Sequence, residues 1–152
     1  MKVHTLFRRQ LVTTPLPEVF EFFSRPENLE RITPPDLGFQ ILTPSPIAMR
    51  EGAVIDYAIR IGPFPTRWTT LITTYEPPHR FVDLQLRGPY AYWHHTHSFE
   101  ETPDGTLLTD EVRYALPFGP LGEIVRELAV ERQLEYIFRQ RSRVIESLFS
   151  TR

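Results

Sequence analysis

Residues 123–149 read EIVRELAVERQLEYIFRQRSRVIESLF, a continuous stretch without glycine or proline. An average α-helix has ~11 residues, so this stretch predicts one unusually long helix from Glu123 to Phe149. Its apolar residues keep helical spacing but drift around the axis, which predicts that different parts of the helix face different neighbours. These residues are Ile124, Val125, Leu128, Val130, Leu134, Ile137, Phe138, Val144, Ile145 and Leu148. The fold therefore depends on what the preceding residues place against this helix.

The preceding residues, from Gly38 to Leu116, have the pattern of short β-strands. Runs rich in Thr, Val, Ile and aromatic residues are separated by turn residues such as Gly62-Pro63 and Gly88-Pro89. Successive hairpins of this kind predict an antiparallel meander. The six predicted strands are Phe39 to Thr43, Ala53 to Ile61, Thr66 to Tyr75, Arg80 to Leu86, Ala91 to Glu101 and Thr106 to Leu116.

The N-terminal residues add a seventh strand and a short helix. Val3 to Val12 alternates imperfectly between apolar and polar residues, as a strand does. Thr13-Thr14-Pro15 predicts a helix start, because a hydroxyl can cap free backbone N–H groups and proline is tolerated in the first turn. The helix, Leu16 to Ser24, has an apolar face formed by Leu16, Val19, Phe20 and Phe23. The proline-rich segment Pro26 to Pro35 then predicts an irregular connection that could form a lid.

Composition limits the functional classes. At 152 residues and a net charge of −2, the chain fits one domain over residues 1–152, and nucleic acid is not an expected partner. It has no cysteine, which excludes disulfides and thiolate chemistry and fits a cytoplasmic location. No stretch approaches the ~20 apolar residues that a membrane span needs, and the first residues are not typical of a signal peptide.

Strand alternation predicts a polar patch on the covered face of the sheet. Apolar and aromatic anchors fix the register of each strand, because successive side chains point to opposite faces. The covered face then carries apolar and aromatic walls and a polar set, Asp83, Gln85, His95, His97 and Asp110. In the strand from Arg80 a second register is open, because Val82, Leu84 and Leu86 form a more apolar alternative face.

A few polar groups on an apolar lining commonly orient a small ligand, so these residues are candidates for a binding site. The candidate ligand-binding residues are Tyr57, Trp68, Thr70, Asp83, Gln85, Trp93, His95, His97, Asp110, Tyr114, Leu128 and Phe138. If a reaction is catalysed, His95, His97, Asp83 and Asp110 are the candidate acid–base groups. The histidines and aspartates could equally satisfy one another and serve only to fix the sheet.

Other sites are weaker hypotheses. The sequence His94-His95-Thr96-His97 is dense in possible metal ligands, but only His95 and His97 share a face and no fourth ligand is marked, so no metal and no cofactor are expected. Ser98 should face solvent, which argues against a nucleophilic triad. Arg67, Arg132, Arg139 and Arg141 could reach an anionic group, although arginines on a helix are more often solvated and paired with residues such as Glu131 or Glu135.

The order of elements resembles the helix-grip fold of the START/SRPBCC superfamily over the whole chain. The more specific likeness is Trp68-x3-Ile72-x2-Tyr75-x-Pro77, Phe81-x-Asp83-x-Gln85-x2-Gly88-Pro89, Trp93-x-His95-x-His97-x-Phe99 and Asp110-x3-Tyr114-x-Leu116-Pro117. This pattern is similar to a bacterial subgroup described as SRPBCC ligand-binding or polyketide cyclase/dehydrase-like. The resemblance implies an α+β fold in which a seven-stranded curved antiparallel sheet surrounds a long C-terminal helix. It also implies a hydrophobic cavity between the two.

Three functions are expected from the residues and the resemblance together. The first is binding of a small hydrophobic molecule of lipid, polyketide, quinone or aromatic type. The second is a cyclase, dehydratase or aromatase activity through the histidines and aspartates. The third is a protein-interaction module that forms a homodimer. Oxygenases of the superfamily hold iron with two histidines and a carboxylate, but that set does not map onto this chain.

Overall fold

A seven-stranded antiparallel sheet forms most of the molecule in the computed structural model, which describes residues 1–61 and 63–150. The spatial order of the strands is β1-β7-β6-β5-β4-β3-β2. The strands are β1 His4–Val12, β2 Gln40–Ile41, β3 Val54–Ile61, β4 Phe64–Glu76, β5 Arg80–Arg87, β6 Tyr92–Thr102 and β7 Gly105–Ala115. The predicted meander is confirmed, and Gly62 of the turn predicted between β3 and β4 lies outside the described residues, as do residues 151 and 152.

The helices follow the prediction with two differences. They are α1 Leu16–Phe23, α2 Leu29–Ile32, α3 Gly119–Val125 and α4 Glu131–Phe149, with a π-helical segment, Arg126–Val130, joining the last two. The C-terminal helical region therefore begins at Gly119 rather than Glu123, and it is interrupted once. A π-helical turn changes the rotation of the side chains about the axis, which gives the predicted drift of the apolar face a structural cause.

The connection after α1 is compact, and it contains two 3₁₀ turns, Pro26–Asn28 and Pro35–Leu37, on either side of α2. Its residues Ile32 and Leu37 are buried, and the hydroxyl of Tyr136 on α4 donates to Asp36 at 3.1 Å. The segment thus lies across the sheet beside α4, in the position of the predicted lid.

The start of α1 corrects one expectation. Thr13 and Thr14 do not cap this helix; instead their hydroxyls donate to the backbone carbonyl of Phe149, at 3.2 and 2.5 Å. They therefore satisfy a carbonyl at the C-terminal end of α4, which has no partner within its own helix. The predicted apolar face of α1 is confirmed, since Leu16, Val19, Phe20 and Phe23 are all buried.

The core is divided into three clusters rather than one. One lies between α1 and the end of α4 and includes Phe20, Phe99 and Ile145. A second contains Trp68, Trp93 and Phe138, and a third contains Ile55 and Ile72. Two register irregularities between β4 and β5 bend the sheet around this space, because a bulge increases local twist and curvature. The curved sheet and α4 confirm the predicted α+β helix-grip fold.

No helix in residues 1–61 or 63–150 is both long and apolar enough to cross a membrane.

Candidate functional site

A cavity of about 210 Å³ lies between the sheet, the segment containing α2, and α4. Its wall is largely apolar and comes from every layer of the fold. The sheet contributes Ile55, Ile59, Ile72 and Phe81, the α2 segment contributes Leu29, Ile32 and Leu37, and α4 contributes Leu134, Ile137 and Phe138. Residues from all three core clusters therefore line one internal space.

An aromatic group forms one part of this wall. Tyr57 stacks on Trp68 at a ring-centroid distance of 6.1 Å, and Trp68 meets Trp93 edge to face at 5.2 Å. The hydroxyls of Tyr57 and Thr70 are hydrogen-bonded at 2.8 Å. Burial raises the pKa of Tyr57, so its hydroxyl remains protonated and polar without carrying charge.

Two aspartate carboxylates and two histidine imidazoles form a compact cluster on the cavity side of β5, β6 and β7. Cross-strand pairing sets His95 beside Asp83 and His97 beside Asp110. The hydrogen bonds follow the diagonals instead: His95 Nε2 donates to Asp110 Oδ1 at 2.8 Å, and His97 Nε2 donates to Asp83 Oδ2 at 2.5 Å. The two imidazole rings stack on each other with centroids 3.7 Å apart. Each carboxylate thus holds one ring of the stacked pair.

Arg141 of α4 completes the cluster. Its side chain is buried, and Nη2 donates to Asp110 Oδ1 at 3.1 Å, so one carboxylate oxygen accepts from both Arg141 and His95. The guanidinium also lies 5.5 Å from the ring centroids of Phe23 and Phe138. Arg141 therefore joins the sheet to the helix across the cavity. Of the two interpretations of Arg141 from the sequence, the solvated helix-face charge is wrong, because the side chain is buried.

Burial and charge act in opposite directions on the titratable groups of the cluster. Burial would raise the pKa of Asp110, but Arg141 and the hydrogen bond from His95 outweigh it and hold that pKa below its usual range. Burial likewise opposes ionisation of Asp83, while His95 and His97 lower its pKa. Burial, together with the neighbouring His95, lowers the pKa of His97 to about 4. At neutral pH the cluster consequently contains two carboxylates, one guanidinium and a neutral His97.

A neutral His97 that donates its Nε2–H to Asp83 carries a lone pair on Nδ1. That nitrogen is buried and has no hydrogen-bond partner in the described part of the chain, and Asp110 Oδ1 is 3.6 Å away. The Nε of Arg141 is also buried without a partner among the described residues. Such groups are costly to bury, so the cluster has unused hydrogen-bonding capacity.

Possible metal-ligand atoms of Asp83, His95 and His97 all lie within 4.8 Å of one another. The stacking of the two rings argues against a shared ion. The lone pair of an imidazole nitrogen lies in the ring plane, and these planes are inclined by only 26° with centroids 3.7 Å apart. The planes therefore do not meet at a metal-ligand distance from both nitrogens. Hydrogen bonding suits this geometry better than metal coordination.

Eight of the twelve candidate ligand-binding residues line the cavity. They are Tyr57, Trp68, Thr70, Asp83, Trp93, His95, His97 and Phe138. Asp110 and Tyr114 do not line the cavity. Asp110 is hydrogen-bonded to His95 and Arg141, which do line it, and Tyr114 is buried in the cluster around Trp93.

Two candidates lie elsewhere, and their predicted positions are corrected here. Gln85 closes the turn after β5, because its amide donates to the carbonyl of Tyr90 and accepts from the backbone N–H of Tyr90. Leu128 is 70% exposed, since the π-helical segment turns it away from the sheet. The register of β5 itself is as predicted, with Phe81 and Asp83 facing the cavity.

Several residues that line the cavity were not among the candidates from the sequence. Arg141 had a detectable signal, because it follows Leu134 by seven residues and Phe138 by three and so shares their helix face. Leu29 and Ile32 lie in the segment that the sequence predicts as a possible lid, and Leu37 follows it, but no pattern marks these side chains as lining, since their contact with the cavity depends on how the proline-rich segment folds back.

A curved sheet that surrounds a long C-terminal helix, with a cavity between them, defines a protein of the START/SRPBCC class. The sequence carries the same assignment, because the model of the family described as "Polyketide cyclase / dehydrase and lipid transport" matches residues 12–145. The chain belongs to this family. A search of curated proteins finds no match to the sequence.

Solved structures share the fold at low sequence identity. A Chromobacterium violaceum protein has a TM-score of 0.74 at 13% identity, over 98% of this chain and 99% of that one. A Thermus thermophilus protein has a TM-score of 0.71 at 12% identity, over 95% and 99%. A START superfamily protein from Mycobacterium smegmatis has a TM-score of 0.69 at 17% identity, over 95% and 99%. At these identities the likeness establishes the fold alone.

Proposed function

We propose that this protein binds a small, largely apolar molecule in the cavity and orients its polar group against the cluster of Asp83, His95, His97, Asp110 and Arg141. The observation that carries the proposal is an apolar cavity whose wall includes two buried polar side chains, His97 and Arg141, each with a nitrogen that has no hydrogen-bond partner in the described part of the chain. An apolar lining with a few converging polar groups is the usual composition of a small-molecule site.

The size of the cavity narrows the ligand class. An engineered cavity of ~150 Å³ binds benzene, and this cavity has about 210 Å³. It suits a molecule of one or two rings or a short acyl chain, of lipid, polyketide, quinone or aromatic type. The aromatic wall around Tyr57, Trp68 and Trp93 favours a ligand with a flat ring system.

The charged groups of the cluster limit which polar group the ligand can carry. The cluster holds two carboxylates, of Asp83 and Asp110, beside the single guanidinium of Arg141. A ligand carboxylate would add a third carboxylate to a buried place that holds one guanidinium, which is unfavourable. A ligand hydroxyl, by contrast, can donate to Nδ1 of His97, and a hydroxyl or carbonyl oxygen can accept from Nε of Arg141, without adding charge.

The proposal is tested by native mass spectrometry of the protein after incubation with a lipid and aromatic metabolite extract. Ile137→Trp fills the cavity from α4, whereas Leu128→Trp makes a comparable change at an exposed position of the same helical region. The expected result is retained small molecules in the wild type and in Leu128→Trp, and their loss in Ile137→Trp. Equal retention by all three proteins, or none by any, would contradict the proposal.

A second candidate function, proton transfer on a carbonyl-bearing substrate, is favoured by the two histidine–aspartate pairs on the cavity wall. The low pKa of His97 makes it a weak base at neutral pH, so this geometry suits binding better than acid–base catalysis. A cyclase or dehydratase would release a ligand whose mass or absorption has changed, and His97→Asn would abolish that change. A ligand recovered unaltered from the wild type would exclude this activity for that ligand.

A further inference from the structure

A second polar region of the cavity wall lies on β3 and β4, beside the histidine–aspartate cluster. Tyr57 and Trp68 are directly opposite each other in the pairing of these two strands. Thr70 follows Trp68 by two residues, so its side chain is on the same face of β4. All three side chains line the cavity. We call Tyr57, Trp68 and Thr70 the donor patch.

The two hydroxyls of the donor patch have one proton more than their mutual hydrogen bond uses. Tyr57 and Thr70 each carry one O–H group, and a single hydrogen bond of 2.8 Å joins the two oxygens. It is the only hydrogen bond of either hydroxyl within residues 1–61 and 63–150. Burial and the nearby Asp83 carboxylate raise the pKa of Tyr57, so it keeps its proton at neutral pH. One O–H group of the pair is therefore a free donor, whichever oxygen accepts.

The indole of Trp68 supplies another free donor. This side chain is only 7% exposed, and its Nε1 is buried without a hydrogen-bond partner in the part of the chain that the structure describes. A buried N–H group without a partner is costly, and an indole nitrogen can only donate. The donor patch would therefore be satisfied by a ligand oxygen that accepts hydrogen bonds.

The donor patch is close enough to the cluster for one small molecule to contact both. Thr70 pairs with Gln85 and Ile72 pairs with Asp83, so Thr70 and Asp83 are diagonal neighbours on the sheet. Such neighbours are ~7–8 Å apart. His97 donates to Asp83 at 2.5 Å, which places its ring beside this carboxylate. The distance corresponds to a ligand whose two polar groups are on opposite sides of one ring.

We infer that the ligand is a flat molecule of one or two rings with two different oxygen groups, a carbonyl that accepts from the donor patch and a hydroxyl that donates to Nδ1 of His97. The inference rests on the proposed binding function and specifies the second polar group of its ligand. A carbonyl suits the donor patch better than a carboxylate, because the buried carboxylate of Asp83 is nearby. Tyr57 stacks on Trp68, so aromatic surface for a flat ring adjoins the donors.

Isothermal titration with four ligands of one two-ring framework separates the two polar groups. 6-Hydroxy-1-tetralone carries both groups, 1-tetralone only the carbonyl, 5,6,7,8-tetrahydro-2-naphthol only the hydroxyl, and tetralin neither. The wild type should bind 1-tetralone roughly 2–10-fold more tightly than tetralin, the value of one hydrogen bond. The hydroxyl should raise affinity by a similar factor whether or not the carbonyl is present, because the two groups bind at separate places.

Two variants remove the donors of the patch. Tyr57→Phe together with Thr70→Val replaces both hydroxyls by apolar groups of similar shape, and Trp68→Phe removes the indole N–H. In at least one of these variants the preference for 1-tetralone over tetralin should be lost, and both should keep the preference for the hydroxyl. Tyr75 is also on β4 but does not line the cavity, so the control Tyr75→Phe should keep both preferences.

The outcomes separate this inference from the proposed binding function. A carbonyl preference that survives in both patch variants would overturn the inference and assign the carbonyl to Nε of Arg141. A wild type that binds tetralin and 5,6,7,8-tetrahydro-2-naphthol but has no carbonyl preference would also overturn it, while the binding function would stand. Loss of the preference in Tyr75→Phe as well would show that it does not come from the donor patch. A wild type that binds none of the four ligands would contradict the inference and the proposed function together.

Discussion

Replacement of Arg141 by methionine should cost about 3–5 kcal/mol of unfolding free energy at neutral pH, because it leaves the Asp110 carboxylate buried without its cation. The methionine side chain can keep the apolar contacts with Phe23 and Phe138, so the loss of unfolding free energy reports the removal of the charge. In a chain of this length the change corresponds to a fall of ~6–20 °C in Tm. The double variant Arg141→Met with Asp110→Asn should recover most of the loss, since the asparagine carbonyl can still accept from His95 and no charge is stranded.

Urea unfolding followed by tryptophan fluorescence measures these differences, with Arg139→Met as the exposed control on the same helix. The gap between wild type and Arg141→Met should narrow as the pH falls and Asp110 becomes protonated in both proteins. A loss below ~1 kcal/mol, within reach of an ordinary surface change, would refute the reasoning. So would a double variant as unstable as the single one, because the cost would then lie outside the Arg141–Asp110 pair.

Three further predictions concern stability. Asp83 and Asp110 have lowered pKa values in the folded protein, so their ionised forms stabilise the fold. This stabilisation is complete above their unfolded pKa of about 4 and is lost as the pH falls below it. The acid unfolding of a variant with both residues replaced by asparagine should therefore depend less on pH than that of the wild type. Gly105→Ala should lose more than ~2 kcal/mol, because its Cβ would lie 2.0 Å from the carbonyl oxygen of Val12. Gly119→Ala, where no atom lies within 4 Å, should lose only ~1 kcal/mol through its positive φ, and chemical denaturation distinguishes the two. Thr14→Val should lower Tm through loss of ~0.5–1.5 kcal/mol, the value of its hydrogen bond to the end of α4; an unchanged Tm would contradict that capping role.

The fold was predictable because its local signals agree with one another. Turn residues separate the strands, and the alternation of apolar side chains fixes which face is covered, so the predicted and observed strand bounds differ by only a few residues. The same alternation placed Asp83, His95 and His97 on one face. Their hydrogen-bond partners were harder to predict, because the diagonal hydrogen bonds depend on the twist of the sheet as well as on the register.

The errors in the site have specific causes. Leu128 has the spacing of a buried helix residue, but the π-helical segment that exposes it depends on packing of the whole C-terminal region. Gln85 shares the face of Asp83 in an ideal strand, but it lies near the strand end and bonds across the turn to Tyr90. The charge of Arg141 favours a solvent-exposed position. It is buried because it hydrogen-bonds to Asp110, a residue distant in sequence on β7.

Isothermal titration of 1-naphthol and naphthalene into the wild type and Ile137→Trp tests the proposed binding function most directly. The two ligands differ by one hydroxyl, so a cavity with a polar cluster should bind 1-naphthol roughly 2–10-fold more tightly, the value of one hydrogen bond. Ile137→Trp should bind neither ligand. Failure of the wild type to bind either ligand, or equal affinity for both that survives filling of the cavity, would contradict a binding site between the sheet and α4.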